Sequence, residues 1–168
     1  MRMNTDRRAF TTVQLLGGVA VLGSYAWGLT RHADIANQLW GTIDPAWIPW
    51  YASCMPFAAA GYLAASAYLL RTSGALKGCA LAFTLFLSTS ALWMPLSLLA
   101  LLTGDETLSP LIQLDLAVAA LSCLWIGRHL WTVAEGRGGQ IALAGWAALC
   151  WQTVILDALV WPRFFVIA

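Results

Sequence analysis

Charge is what this sequence has least of. Only 10% of its 168 residues are Asp, Glu, Lys or Arg, against about a quarter in soluble globular chains. A net charge of +1 without any basic run offers a nucleic-acid backbone nothing to pair with, which excludes nucleic acid as a partner. Histidine is nearly missing, with only His32 and His129. The four cysteines (Cys54, Cys79, Cys123, Cys150) form no C-x-x-C pair. Neither a metal site nor a disulfide framework is therefore indicated, and reduced, buried thiols are expected. A nucleophile beside its base, a phosphate-cradling glycine loop and a metal-ligand triad are also missing. Rings of charge and internal repeats, the marks of channels and transporters, are likewise absent.

What is there instead is apolar. Hydrophobic residues make up 60% of the chain and the mean hydropathy is +0.72. Five runs, at about 11–30, 52–70, 78–102, 110–133 and 139–161, approach or exceed the roughly 20 residues that cross a bilayer core. The expected fold is all-α: a single integral membrane domain over 1–168, built as a five-helix transmembrane bundle. Arg2, Arg7 and Arg8 precede the first run, as in a signal peptide. That run outlasts a signal core and has no A-x-A site after it, so a retained first helix is expected. Arg2, Arg7, Arg8, Arg71, Lys77, Arg128 and Arg137 fall on one side of the predicted spans, and Arg31 and Arg163 on the other. This bias predicts a multi-pass protein with its N-terminus inside, and the first loop and C-terminus outside.

The connections at 72–77, 103–109 and 134–138 are short and carry Gly and charged residues, which marks tight turns between antiparallel helices. The first, at 31–51, is long, and long ordered loops are commonly functional. It holds Trp40, Pro45, Trp47, Pro49, Trp50 and Tyr51, with Asp34 placed to cap a short helix over 34–39. Tryptophan is apolar over most of its surface yet keeps one N–H donor, which suits it to membrane interfaces and to ligand cavities. Of the ten tryptophans, Trp125, Trp131, Trp146 and Trp161 read as interface or packing residues. Small residues in the first two spans, such as Gly17, Gly18, Gly61 and Ala65, permit close helix approach, within the bundle or in a homodimer. Pro95 is expected to kink the third span.

Ionisable groups inside spans are costly and mark candidate sites. Asp115 and Asp157 lie at similar depth in spans four and five, on the side of the first loop. The helical face of Asp115 continues through Ala119, Ser122 and Ile126 to His129, a stripe expected to turn inward. The α-helical face of Asp157 carries Thr153, Cys150 and Trp146. The candidate ligand-binding set is Trp40, Trp47, Trp50, Tyr51, Ser90, Trp93, Asp115, Ser122, Trp151 and Asp157. It describes a cavity under the first loop, with the loop as a lid. Aromatic faces would stack on an apolar ring while a carboxylate holds one polar end. No catalytic residue and no metal ligand are nominated, and no cofactor is required. Haem or another tetrapyrrole is a candidate ligand.

Several short motifs resemble the translocator-protein family, also called tryptophan-rich sensory proteins. They are Trp40…Pro45-Ala-Trp47-Ile-Pro49, Phe57-Ala-Ala-Ala-Gly61-Tyr62, Ser90-Ala-Leu-Trp93-Met-Pro95 and Trp151…Leu156-Asp157…Trp161. Departures are Ser90 at a family asparagine, Asp157 near another, and Cys54 where the family has tryptophan. The resemblance implies five helices and a cavity beneath the first loop that takes porphyrins or sterol-like ligands, often in a homodimer. A second resemblance is to the emopamil-binding and sigma-2-receptor-like bundles. It would imply sterol isomerisation by an acid–base pair, Asp115 with Asp157 or His32. A third reading is a structural subunit whose tryptophans contact lipid or partner helices of a larger membrane complex.

Overall fold

In hydrocarbon every backbone N–H and C=O must find a partner within the protein, so an apolar chain of this kind resolves into helices. The computed structural model describes residues 2–72, 75–76 and 78–167, with side chains described from Thr5 onward. Lys77 and the side chain of Arg2, both used in the charge-bias argument, lie outside the described residues, as do Ser73 and Gly74 of the second connection. Among the described residues there is no strand. The helices are α1 (Arg2–Arg31), α2 (Ile48–Arg71), α3 (Cys79–Thr103), α4 (Leu108–Val133) and α5 (Gly136–Cys150). The fifth span continues beyond α5 as a π-helix over Trp151–Val160 and closes in a 3₁₀ turn, Trp161–Arg163.

Five helices are long and apolar enough to cross a membrane. The chain is a multi-pass integral membrane protein with an all-α bundle. Its helices overrun the predicted spans, most of all α1, whose regular backbone begins at Arg2 rather than near residue 11. Hydropathy marks where a helix becomes apolar, and the hydrogen-bonded turns continue beyond that point. The turn between α3 and α4 follows local chemistry. Gly104, at φ +64°, caps α3 through its N–H to Ala100 O, and Asp105 Oδ1 then accepts from Thr107 N at 2.9 Å and Thr107 Oγ1 at 2.6 Å. Those two bonds hold the Asp105 carboxyl below its ordinary value of 3.8.

The helices pack in the order α2–α5–α4–α3–α1. The α2–α5 seam closes at Gly61 and Gly145: a Cβ built on Gly61 would sit 1.9 Å from Gly145 O, so the two backbones meet directly. Between α1 and α2 the contact is lighter and runs through side chains, with the Tyr62 hydroxyl donating to Gln14 Oε1. One core lies toward the N-terminal end of α1, where Phe10, Phe83, Phe86 and Trp146 interlock around Leu69 and Leu130. A second lies toward the first loop, around Tyr51, Ala100, Ile112, Leu116, Leu156 and Trp161. The stripe of Asp115, Ala119, Ser122 and Ile126 is buried, as its spacing implies. Opposite the α3 seam, Leu15, Leu16, Val19 and Leu22 of α1 are exposed, a face suited to lipid.

Two local expectations give way. The helical turn in the first connection is a 3₁₀ turn over Ala36–Trp40, entered from Ile35 without a side-chain cap, so Asp34 does not cap it. The C-terminal half of span five is not α-helical. With bonds reaching one residue further back, Asp157 aligns with Gln152 rather than continuing a stripe through Thr153 and Cys150 to Trp146.

Candidate functional site

The first connection is held down rather than free. Thr42 N donates to Phe164 O at 2.8 Å, and Trp161 Nε1 donates to Leu39 O at 2.8 Å. Gly41 permits this closeness: its φ is +53°, and a Cβ there would lie 1.9 Å from Phe164 O. The C-terminal turn thus clamps the loop, and Leu39 and Ile43 are buried beneath it.

Under the clamped loop is a cavity of about 160 Å³. Tyr25 and Leu29 line it from α1, Ala36, Leu39 and Trp40 from the loop, and Tyr51 and Met55 from α2. Trp93 and Met94 of α3, with Asp157 and Trp161 of span five, complete the wall. Leu29 of α1 and Met55 of α2, both exposed, stand at its edge, where these two helices are in light contact. Its aromatic wall is ordered. Tyr25 stacks on Trp93 at 5.7 Å, Trp93 meets Trp161 edge-on at 5.3 Å, and Trp161 stacks on Phe165 at 4.3 Å. Trp40 and Tyr51 form a second edge pair at 5.4 Å.

Asp157 is the carboxylate of this wall. Its Oδ1 accepts from Tyr51 Oη at 2.6 Å and from Gln152 Nε2 at 2.8 Å. The second bond spans five residues, a reach the π-helical register supplies. Both bonds fall on one oxygen and aim the carboxyl, while Oδ2 accepts none from the described residues. Trp93 Nε1 and Gln152 Oε1 are enclosed and have no hydrogen-bond partner among the described residues. Leaving such groups unpaired in an apolar interior is costly.

The structure gathers Trp40, Tyr51, Trp93 and Asp157 of the candidate set and disperses the rest. Trp47 and Trp50, 62% and 45% exposed, pair edge-on at 6.0 Å on the surface of the loop and its junction with α2, and do not line the cavity. Ser90 turns back to Phe86 O at 2.7 Å. Trp151 is exposed, and Ser122 is buried within the bundle. Asp115, only 8% exposed and with Oδ2 unpartnered, sits on α4 away from the wall. The shared Asp115–Asp157 cavity is therefore replaced by one built on Asp157 alone, because α4 packs behind α3 and span five rather than between α1 and α2.

Missed by spacing were Tyr25, whose position opposite Trp93 depends on the parallel α1–α3 pairing, and Trp161. The Trp161…Phe165 spacing beside Pro162 was the signal available for a folded-back C-terminal turn. A second cavity, of about 150 Å³ at the other end of the bundle, is lined by Gly78, Cys79, Ala82, Trp125, Ile126 and His129. Its histidine is committed, with Nε2 2.7 Å from Ala75 O. Among the described residues no group of three His, Cys, Asp or Glu could hold a metal ion.

The fold and the cavity define a class: a five-helix integral membrane bundle with an aromatic, carboxylate-bearing cavity under its first loop. The chain matches no protein-family model, no curated protein and no solved structure.

Proposed function

We propose that this protein binds a membrane-dissolved amphiphile by its ring-bearing polar end, under the clamped first loop. The observation that carries the reading is Asp157: Tyr51 and Gln152 fix its Oδ1, and its Oδ2 is left to accept from a ligand hydroxyl or amine. Tyr25, Trp93 and Trp161 supply flat apolar surface for a ring beside that acceptor. The volume of about 160 Å³ lies below the roughly 300–1,000 Å³ of sites that enclose a whole drug-sized molecule. The remainder of the ligand would pass between α1 and α2 into the hydrocarbon. That size favours a sterol-like molecule held by its hydroxyl end over a fully enclosed tetrapyrrole. The translocator-protein resemblance, with its cavity under the first loop, supports the same reading. The isomerase alternative draws less support, since Asp115 and His32 are not among the residues that line the cavity.

The test is energy transfer from tryptophan to dehydroergosterol in vesicles containing the protein. Saturable transfer is expected, with affinity lowered about tenfold in Asp157→Ala. That is the loss of one hydrogen bond of about 1.4 kcal/mol. Transfer no greater than that of an unrelated transmembrane helix, or an unchanged affinity in the variant, would overturn the reading. Saturable haemin quenching that depends on Asp157 would instead favour the tetrapyrrole.

A further inference from the structure

Away from this cavity, α4 and α5 bring two thiols together. Cys123 Sγ and Cys150 Sγ lie 3.2 Å apart, and neither forms a disulfide. That is inside the roughly 3.5–4.0 Å of ordinary non-bonded contact between carbon atoms, and sulfur is the larger atom. Cys123 is 0% exposed and Cys150 is half-buried. Their register is set by neighbours. Trp146 Nε1 donates to Cys123 O at 2.9 Å, and Cys150 Sγ lies 4.0 Å from the same carbonyl. A Cβ on Gly127 would lie 3.0 Å from Trp146 Cδ1, so a larger residue there would push that indole back by a few tenths of an ångström. Cys150 is also the last residue of α5 before the π-helix begins.

We propose that Cys123 and Cys150 form a redox-active dithiol, oxidised to an intramolecular disulfide by a lipid-soluble quinone. A disulfide bond is about 2.05 Å long, so the sulfurs need to approach by roughly 1.2 Å. Both residues lie near the middle of their spans, which in a hydrocarbon core about 30 Å thick places them about 10–15 Å from the nearer face. A charged aqueous disulfide has no path to them, whereas a quinone partitions to that depth and accepts two electrons with two protons. The reaction balances: two S–H bonds break, one S–S bond forms, and the quinone leaves as hydroquinone. The product staples α4 to α5 at the point where span five changes helical register.

The full chain in lipid vesicles is reduced, freed of reductant, exposed to a short-chain ubiquinone analogue, acid-quenched and labelled with maleimide after denaturation. Of four reactive thiols, two should be lost, with a mass decrease of two hydrogens and a peptide joining Cys123 to Cys150. Cys123→Ala and Cys150→Ala should each abolish the loss, while Cys54→Ala and Cys79→Ala leave it intact. The mass and peptide measurements are made on the unaltered chain and do not depend on any variant folding. Retention of all four thiols under quinone overturns the proposal, as does a disulfide between other cysteines or between chains. Closure by the azo oxidant diamide but not by quinone overturns the assignment of the oxidant.

Discussion

Replacing Gly61 by alanine tests the direct backbone contact between α2 and α5. The added Cβ would lie 1.9 Å from Gly145 O and 2.5 Å from Gly145 C, where ordinary contact begins at 3.4 Å. The obstacle is backbone and cannot rotate away, so α2 and α5 must part locally by about 1.5 Å. In lipid no burial of apolar surface compensates, because helix association rests on packing itself. A gap of about 0.5–1 Å already forfeits a quarter to a half of each contact's roughly 0.1–0.2 kcal/mol. Over some thirty atom pairs along the seam, this loss is about 2 kcal/mol, within the usual cost of overpacking. Alanine's better helix propensity returns up to about 1 kcal/mol, which leaves a net destabilisation of about 1–2 kcal/mol. Gly18→Ala and Gly23→Ala are the controls: nothing lies within 4 Å of either new Cβ, so both should be neutral or slightly stabilising. Reversible unfolding by SDS titration in mixed micelles, followed by far-UV circular dichroism, reads all three. A Gly61→Ala protein as stable as its parent, or controls as destabilised as it, would refute the packing argument.

Trp161→Phe keeps most of the stacked ring but removes the 2.8 Å bond to Leu39 O, at a local cost of about 1–3 kcal/mol for the carbonyl left unpaired. Amide exchange at Thr42 should quicken while the α3 amides do not change, and unaltered exchange at Thr42 would show that the loop is held by other means. Asp105 should titrate below 3.8 by NMR of its carboxyl carbon, because Thr107 bonds its ionised form. Its pKa is depressed in the fold, so its contribution is complete above the unfolded value and is lost as pH falls through the lower folded value. A midpoint at or above 3.8 would contradict those bonds.

Legibility differed by the kind of information each feature needs. The five spans were readable because bilayer length and hydropathy act residue by residue. The inward stripe from Asp115 to Ile126 was readable because α4 is a regular helix, in which spacing alone assigns a face. Span five defeated the same argument: its π-helical register put Gln152, not Thr153, beside Asp157. Tryptophan count was a poor guide to the cavity. Trp47 and Trp50 stand in the motif that draws the eye yet face outward, while Trp161, read as packing, forms part of the wall. A tryptophan's chemistry suits interface and cavity equally, so only its neighbours distinguish the two roles.

What the sequence by itself determined is the membrane-spanning, all-α character of the chain, since hydrocarbon demands internal hydrogen bonding whatever the helix order. It also singled out Asp157 as an ionisable group that needs a reason to be in a span. Only the tertiary structure decided that α1 runs beside α3 and α2 beside α5, so that residues of α1, α2, α3, the first loop and span five meet around the cavity. The same pairing withdrew Asp115 from the cavity and set Cys123 against Cys150. Helix pairing depends on fits such as Gly61 against Gly145, made between residues far apart in the chain. No local pattern records such fits.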